Sequence, residues 1–409
     1  MTFKLNRDLL VISSMVVVFF TLVFFLNFFS NVKDDTQFSH EEYVYLTRSL
    51  LQNRLDIDYP NTDYIFHNNK FYWHLGLFPS ILIMPLVTFF EQFLHLEFKQ
   101  GYIQFFITLA IFLLAFKLSR KKRYDFSDSV LLAFSFVFSS VYIFNALTTW
   151  SWYFLQTVTV LFSFLSIYEY YGKKRWWLIS LTIAILFMSR PTSALIIIFY
   201  LLSILFEKTQ TFKKRLKNLF ILFFAPSLAI VFLLLYNYAR FENPLNSGYT
   251  LTNNWNYTEE QRFELTNYGL FNFKNIPSNF YYYFLNGLDP VLLNRGYKFI
   301  LKPPFVKAGF PGTSFFVVSP IFLYVFKLRE KSKENIFYII SIIITLLILL
   351  TYYWPGWLQL GPRYTLDFLP MLYILLLASF KDKKVSNIAK ILIFFSAFLN
   401  IYLYSSLFH

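Results

Sequence analysis

Two adjacent glutamates, Glu41 and Glu42, stand in a polar stretch that follows the first long apolar run of the chain. A carboxylate held just outside a bilayer can act as a general base and take the proton from an attacking hydroxyl. Asp34 and Asp35, a few residues upstream, are a second source of the same chemistry. With Glu41 they also form a set of hard oxygen ligands suited to a magnesium or manganese ion, although base catalysis requires no metal. Each has a plainer reading: Asp34-Asp35 fits a solvated turn after a span, and Glu42 fits a capping box with Ser39 at a helix start. Lys70, in the same stretch, is a cation that would keep a loop carboxylate ionised. His40 and His74 are its imidazoles, solvated or packed on aromatics; with no cysteine and no His-x-x-x-His spacing, a zinc site is not expected. The complementary charges are Arg190, in Ser189-Arg190-Pro191-Thr192, and Arg363, in Gly361-Pro362-Arg363-Tyr364. A guanidinium matches phosphate oxygens in a two-pronged grip. Either arginine also fits a side chain snorkelling to lipid headgroups. Tyr364, with Trp354 and Trp357, offers ring faces for a sugar or a membrane-interface belt.

What must position these residues is a membrane body. Of 409 residues, 56% are hydrophobic and 23% aromatic, while 15% are charged. Apolar runs of about 20 residues recur from end to end, which is the length of a spanning helix and twice that of a barrel strand. The net charge of +14 does not point to nucleic acid, because the basic residues cluster between apolar runs, the positive-inside pattern. The clusters at Lys4/Arg7, Lys117 to Arg123, Lys173 to Arg175, Lys213 to Lys217, Lys327 to Lys333 and Lys381 to Lys384 are assigned to the cytoplasm. Parity then fixes the rest. The first run, Leu9 to Phe29, is an uncleaved span. Leu77 to Leu96, with Pro79, Pro85, Glu91 and His95, is an interfacial or re-entrant helix. Trp176 to Phe206 is a hairpin with arms of about 15 residues, short of the usual ~20, so that Arg190 lies recessed in a polar pocket. Phe310 to Phe326 is one span and Tyr364 to Phe380 another. The expectation is an all-α integral membrane protein, a single polytopic bundle (1–409) of about eleven transmembrane helices. Its first external loop is 31–100, carrying interfacial helices, and its second is 240–308, too short for a domain with its own core. In the first loop, Tyr43, Leu46, Leu50 and Leu51 mark an amphipathic helix lying in the interface.

At these residues the chain resembles the GT-C superfamily of membrane glycosyltransferases, in the group of protein O-mannosyltransferases and aminoarabinose transferases, bacterial members. The resemblance lies in Glu42-Tyr43-Val44-Tyr45-Leu46 through Leu55, in Asn69-Lys70-Phe71-Tyr72-Trp73 leading to Pro79 and Pro85, and in Ser189-Arg190-Pro191-Thr192. It continues in Tyr236-Asn237-Tyr238-Ala239-Arg240-Phe241 with Gly248-Tyr249, and in Gly361-Pro362-Arg363-Tyr364 before Pro370. It implies transfer of a sugar from a polyprenyl-phosphate donor, outside the cytoplasmic membrane, to a lipid, glycan or protein acceptor, with inversion. The family usually places an aspartate near the start of the first loop. Here His40-Glu41-Glu42 stands next to the helix and the aspartates lie upstream, so the choice among Glu42, Glu41, Asp34 and Asp35 as base stays open. The competing readings are a transporter or lipid flippase, against which stand the absence of an internal repeat and the scarcity of mid-span charges, and a non-catalytic lipid-binding assembly protein.

Overall fold

The structure is a computed structural model that describes residues 7–29, 40–58, 63–249, 259–295, 298–328, 330 and 332–407. Asp34, Asp35 and Ser39 lie outside the described residues. The chain divides into two compact units, the first made of residues 1–22, 111–147 and 273–409, the second of 23–110 and 148–272. Each is taken by itself.

Among the described residues, six helices are long and apolar enough to cross a membrane. They are Leu9–Phe29 within α1 (Arg7–Phe29), α4 (Gln100–Lys121), α7 (Ser151–Tyr170), α10 (Phe212–Phe241), α14 (Lys333–Thr351) and α16 (Asn387–Leu407). The shorter helices are α2 (Glu42–Leu51), α3 (Phe78–Thr88), α5 (Phe126–Phe138), α6 (Tyr142–Leu147), α8 (Trp176–Ser189), α9 (Ile197–Leu205), α11 (Glu259–Tyr268), α12 (Ile276–Phe284), α13 (Phe315–Val318) and α15 (Leu369–Ser379). An all-α description is incomplete. β1 (Tyr64–His67) pairs antiparallel with β2 (Lys70–Trp73), and β3 (Leu288–Arg295) with β4 (Lys298–Ala308). The β1–β2 turn is Asn68-Asn69, both left-handed. Asparagine tolerates that conformation better than most residues, and it is what a two-residue hairpin turn requires.

In the first unit, side-chain caps set the starts of α5 and α14. Asp125 accepts the Asp128 N–H at 2.7 Å and Ser332 accepts the Asn335 N–H at 3.2 Å. The expected span from Phe310 to Phe326 is not one helix. It breaks after α13 and resumes as a 3-10 segment, Pro320–Lys327. Pro320 brings no N–H, and the Ser319 hydroxyl turns aside to accept the Val141 N–H at 2.9 Å. The freed Val318 carbonyl accepts from Ser396 and from Asn400, each at 2.9 Å. Buried backbone must be satisfied in this way when a helix is interrupted. Polar contacts in this unit fall into two groups. Lys122 to Glu334 (3.1 Å), Val385 N–H to the Asp128 carboxylate (2.8 Å) and Tyr324 to Ser386 (2.8 Å) join segments beside the basic clusters. The Tyr404 hydroxyl to the Leu147 carbonyl (3.3 Å) and Asn279 to the Leu350 carbonyl (2.9 Å) join the far ends of the helices.

In the second unit, α8 packs on α7 and α10, and α2 on α3. The α8 arm, a four-residue 3-10 turn Ser193–Ile196 and α9 form a helix–turn–helix around Arg190. Lys174 and Glu207 approach within 3.7 Å at the basic side of that pair. α3 continues through a π-turn, Phe89–Phe93, and stays on α2. Near its start, the Thr47 hydroxyl donates to the Ser80 carbonyl at 3.0 Å and the Ser80 hydroxyl to the Tyr43 carbonyl at 3.0 Å. Near its end, Arg48 grips Glu91 with contacts of 2.6, 3.0 and 3.1 Å. The chain then returns to α2, where the Gln100 N–H reaches the Glu41 carboxylate at 2.9 Å. α2 is therefore covered on its polar side as well: Glu42, Thr47 and Ser49 are buried with Tyr43 and Leu46, and it is more enclosed than a helix resting in an interface.

Candidate active site

Helix α2 begins at Glu42, with Glu41 as N-cap and no side-chain capping bond. Glu42 thus occupies the first helical position, not the third, and the capping box expected with Ser39 does not describe this helix start. A carboxylate in the first turn is favoured by the helix dipole. Glu42 is fully buried, and its Oε1 accepts from His40 Nδ1 at 3.4 Å. His40 is packed between Trp150 (4.5 Å between ring centres) and Trp152 (4.8 Å). Its carbonyl accepts from the Gln100 amide at 2.8 Å and the Ser151 hydroxyl at 3.0 Å. These contacts fix the backbone that presents both glutamates.

The two glutamates differ. Glu41 is half-buried, and removal from water pushes its carboxyl up to about 8; the Gln100 N–H opposes this and the Glu42 charge adds to it. At neutral pH Glu41 holds its proton, which makes it a poor base at rest. That leaves Glu42 as the buried carboxylate in contact with an imidazole.

From His40 a run of aromatic rings leads to a guanidinium. Trp152 touches both His40 and Trp73, the latter at 6.1 Å. Trp73 meets Tyr43 and Tyr64 edge-on at 5.9 Å each. The Trp73 carbonyl accepts from Arg240 Nη1 at 2.9 Å, and Arg240 Nη2 donates to Asn237 at 2.8 Å. Arg240 is buried, its guanidinium carbon 3.9 Å from the Tyr236 ring centre and 4.6 Å from that of Phe241. Among the described residues it has no carboxylate partner, and its Nε has no hydrogen-bond acceptor. The Tyr64 and Ser189 hydroxyls are likewise buried and without a hydrogen-bond partner among the described residues, while the buried Tyr43 hydroxyl and Trp73 Nε1 turn toward each other. Each such group costs about 1–3 kcal/mol, and native interiors keep very few of them.

His74 completes the cluster. Its Nδ1–H donates to the Asp63 carbonyl at 2.8 Å, and its ring stands edge-on to Tyr249 at 4.9 Å. Burial pushes its pKa down to about 4, the Arg240 charge adding to the effect and the carbonyl opposing it, so the imidazole is neutral. Burial raises Tyr43 far above its ordinary value, with the Trp73 hydrogen bond and then the Arg190 charge opposing, so its phenol stays protonated. Arg190 sits in the turn after α8, and its field reaches Tyr43. Gly76 brings the first loop onto that turn. A Cβ there would collide with the Ser189 carbonyl, so only glycine allows the backbone of the loop to lie on the end of α8.

Of the residues marked in the sequence, this unit brings Glu41, Glu42, His74 and Arg190 into one neighbourhood. Lys70 is exposed, with its ammonium 3.7 Å from Asp56. Arg363 and Tyr364 belong to the other unit, where the buried Arg363 lies 5.5 Å from the Tyr364 ring centre and its backbone N–H donates to Gln359 at 3.3 Å. Among the described residues no three His, Asp or Glu side chains converge as metal ligands, and Asp34 and Asp35 are not among those residues. Sequence reasoning passed over Arg240 as a site residue. The available signal was an arginine closing a long apolar run at the end opposite its basic cluster.

No family model matches the chain, and no curated protein matches it. Two solved structures are similar. One is the Archaeoglobus fulgidus oligosaccharyltransferase in the apo form, with TM-score 0.46 and 13% identity over 99% of this chain and 56% of that one. The other is the same enzyme tethered with an acceptor peptide containing the NVT sequon via a disulfide bond, with TM-score 0.44 and 15% identity over 97% of this chain and 55% of that one. This chain thus spans about half the length of the protein it is similar to. At these values the likeness assigns no residue and no activity.

Proposed function

We propose that this chain is an integral-membrane glycosyltransferase that moves a sugar from a polyprenyl-phosphate carrier to a lipid, glycan or protein acceptor at the outer face of the cytoplasmic membrane. The observation that carries the reading is a buried carboxylate, Glu42, joined through His40, Trp152 and Trp73 to a buried guanidinium without a carboxylate partner, Arg240. The resemblance of these same stretches to GT-C sequences points the same way. The helices that can cross a membrane supply the body in which a lipid carrier would lie.

The chemistry is a single displacement. The acceptor oxygen attacks the anomeric carbon on the face opposite the phosphate. Glu42 takes the acceptor's proton, and the His40 imidazole holds the carboxylate in place. The bond from the anomeric carbon to the phosphate oxygen breaks, and its electron pair remains on the phosphate. Arg240 and Arg190 meet that growing charge away from bulk water, where such stabilisation is strongest. Trp152, which is only partly buried, offers a ring face to the sugar, with the buried Trp73 behind it. Neutral His74 donates no second positive charge and adds no repulsion to Arg240. Arg363 is proposed as an anion ligand in its own unit. A divalent ion held by Asp34 and Asp35 is compatible with this chemistry and not required by it.

The test is lipid retention. Purified wild-type protein should carry a polyprenyl phosphate identifiable by mass spectrometry. Arg240→Lys keeps the charge and loses the fork, and should retain about tenfold less lipid; Arg240→Ala should retain almost none. Equal retention by wild type and both variants, each confirmed as folded, would remove Arg240 from the phosphate site.

A further inference from the structure

In the second unit, α10 is buried along one seam only. That seam, against α8, is Asn218, Leu222, Pro226 and Ala229, and beside it the Ala225 N–H donates to the Ser180 hydroxyl at 3.2 Å. The other side of the helix carries Phe212, Leu216, Phe220, Phe224 and Leu228, four residues apart and each more than half exposed. That spacing keeps neighbours in the row on one face. On a helix apolar enough to cross a membrane, such a row faces lipid. It begins at the first residue of the helix. With 30 residues α10 is about 45 Å long, against a hydrocarbon core of about 30 Å, so its ends lie among headgroups.

Lys213, Lys214, Arg215 and Lys217 stand in the first two turns, and no acidic residue occurs from Lys208 to Phe241. The three lysines are exposed. None of the four cations is in an ion pair among the described residues, and Arg215 Nε is enclosed without an acceptor. Other basic clusters are engaged by acids of the chain. Arg175 holds Glu169 at 2.9 Å, Lys174 meets Glu207 at 3.7 Å and Lys122 meets Glu334 at 3.1 Å. Nor do these four stabilise their own helix. The helix dipole disfavours cations in a first turn, and Lys213 and Lys217, four residues apart on one flank, repel each other. An anion shared between them turns both costs into attraction. The flank that carries them also carries Phe220 and Phe224, one and two turns further toward the middle of the membrane. Head and tail of a lipid thus find complementary surfaces in the order in which a lipid presents them.

We infer that the first two turns of α10 bind an anionic phospholipid, its phosphate between Lys213 and Lys217 and its acyl chains along Phe220 and Phe224. A zwitterionic lipid also has a phosphate, but its choline brings a further positive charge to the four already there. The site therefore selects by net charge. The inference does not rest on the transferase reading, since Lys217 and Arg240 are about 35 Å apart along the helix.

The experiment is lipid competition on the full-length protein in detergent. Immobilised protein is incubated with equal amounts of phosphatidylglycerol and phosphatidylcholine of the same acyl chains and washed, and the retained lipids are quantified by mass spectrometry. Wild type should keep about tenfold or more phosphatidylglycerol over phosphatidylcholine. The ratio should fall as salt is raised, since exposed lysine contacts are screened. The exposed pair Lys213→Gln/Lys217→Gln should lower the ratio about threefold or more, and glutamine at all four positions should bring it to parity. Lys174→Gln/Arg175→Gln removes two positive charges from the basic side of the same unit, but from cations that are already paired, and should leave the ratio as it is. Arg240→Ala should also leave it, which separates this lipid from a donor lipid. Equal retention of the two lipids by wild type overturns the inference, as does an unchanged ratio in the Lys213/Lys217 variant. An equal fall in the Lys174/Arg175 variant, or loss of the preference in Arg240→Ala, overturns it as well.

Discussion

At the residue scale, Glu41 and Glu42 are neighbours in sequence with different environments. Glu42 was legible as a base candidate from its place at the start of a loop helix. The state of Glu41 was not, because it is set by burial beneath segments remote in sequence, against which the Gln100 N–H only partly holds the charge. Arg240 was equally opaque: its partners are a carbonyl in β2 and two rings of its own helix end. Both titrating groups leave a signature in stability. Glu41 has a folded-state pKa raised from 4.5 to about 8. Its contribution is fully present below 4.5 and is lost as pH rises toward 8. His74 has one lowered from 6.5 to about 4. Its contribution is present above 6.5 and is lost as pH falls toward 4. Thermal unfolding in detergent across pH 4 to 9 should therefore show losses on both sides. Glu41→Gln should flatten the alkaline side and, because the two windows offset each other between 4.5 and 6.5, should let the His74 loss show over the whole range from 6.5 down to 4. An unchanged alkaline slope in that variant would show that Glu41 is not held protonated.

Elements were read unevenly. The broken helix pair around Arg190 was legible because its arms are too short to span alone and a proline follows the arginine. The β1–β2 hairpin was missed, although Asn68-Asn69 lies between two aromatic-rich four-residue runs, since long hydropathy windows average such runs away. The run from Phe310 to Phe326 has the composition of a span but carries Ser319-Pro320 in its middle. Its broken carbonyl is satisfied by α16, a contact no local pattern discloses. Gly76 is the hinge of the site at this scale, where the first loop lies on the end of α8. Gly76→Ala should cost about 1–3 kcal/mol, as overpacking does, read as a lower unfolding temperature. It should also weaken donor retention more than a surface substitution of equal stability cost. Wild-type stability in this variant would mean the loop does not rest on α8 as described.

At the scale of the whole molecule, the pattern of basic clusters assigns a sidedness from sequence, and within each unit the polar contacts join segments that those clusters assign to the same side. The number of spans was less legible, because several apolar segments are short or interrupted. With no native cysteine, single cysteines report topology cleanly. Asn68→Cys, in the β1–β2 turn, should react with an impermeant maleimide in intact cells, and Lys208→Cys only after lysis; the opposite result would place the acid–guanidinium cluster on the cytoplasmic side. The central claim is sugar transfer with Glu42 as base, and turnover of Glu42→Gln tests it most directly. With purified protein and a labelled polyprenyl-phosphate sugar, wild type should transfer label to acceptor. Glu42→Gln should retain the donor lipid while its rate falls by about 10²–10⁴. Wild-type turnover in folded Glu42→Gln protein would contradict the account.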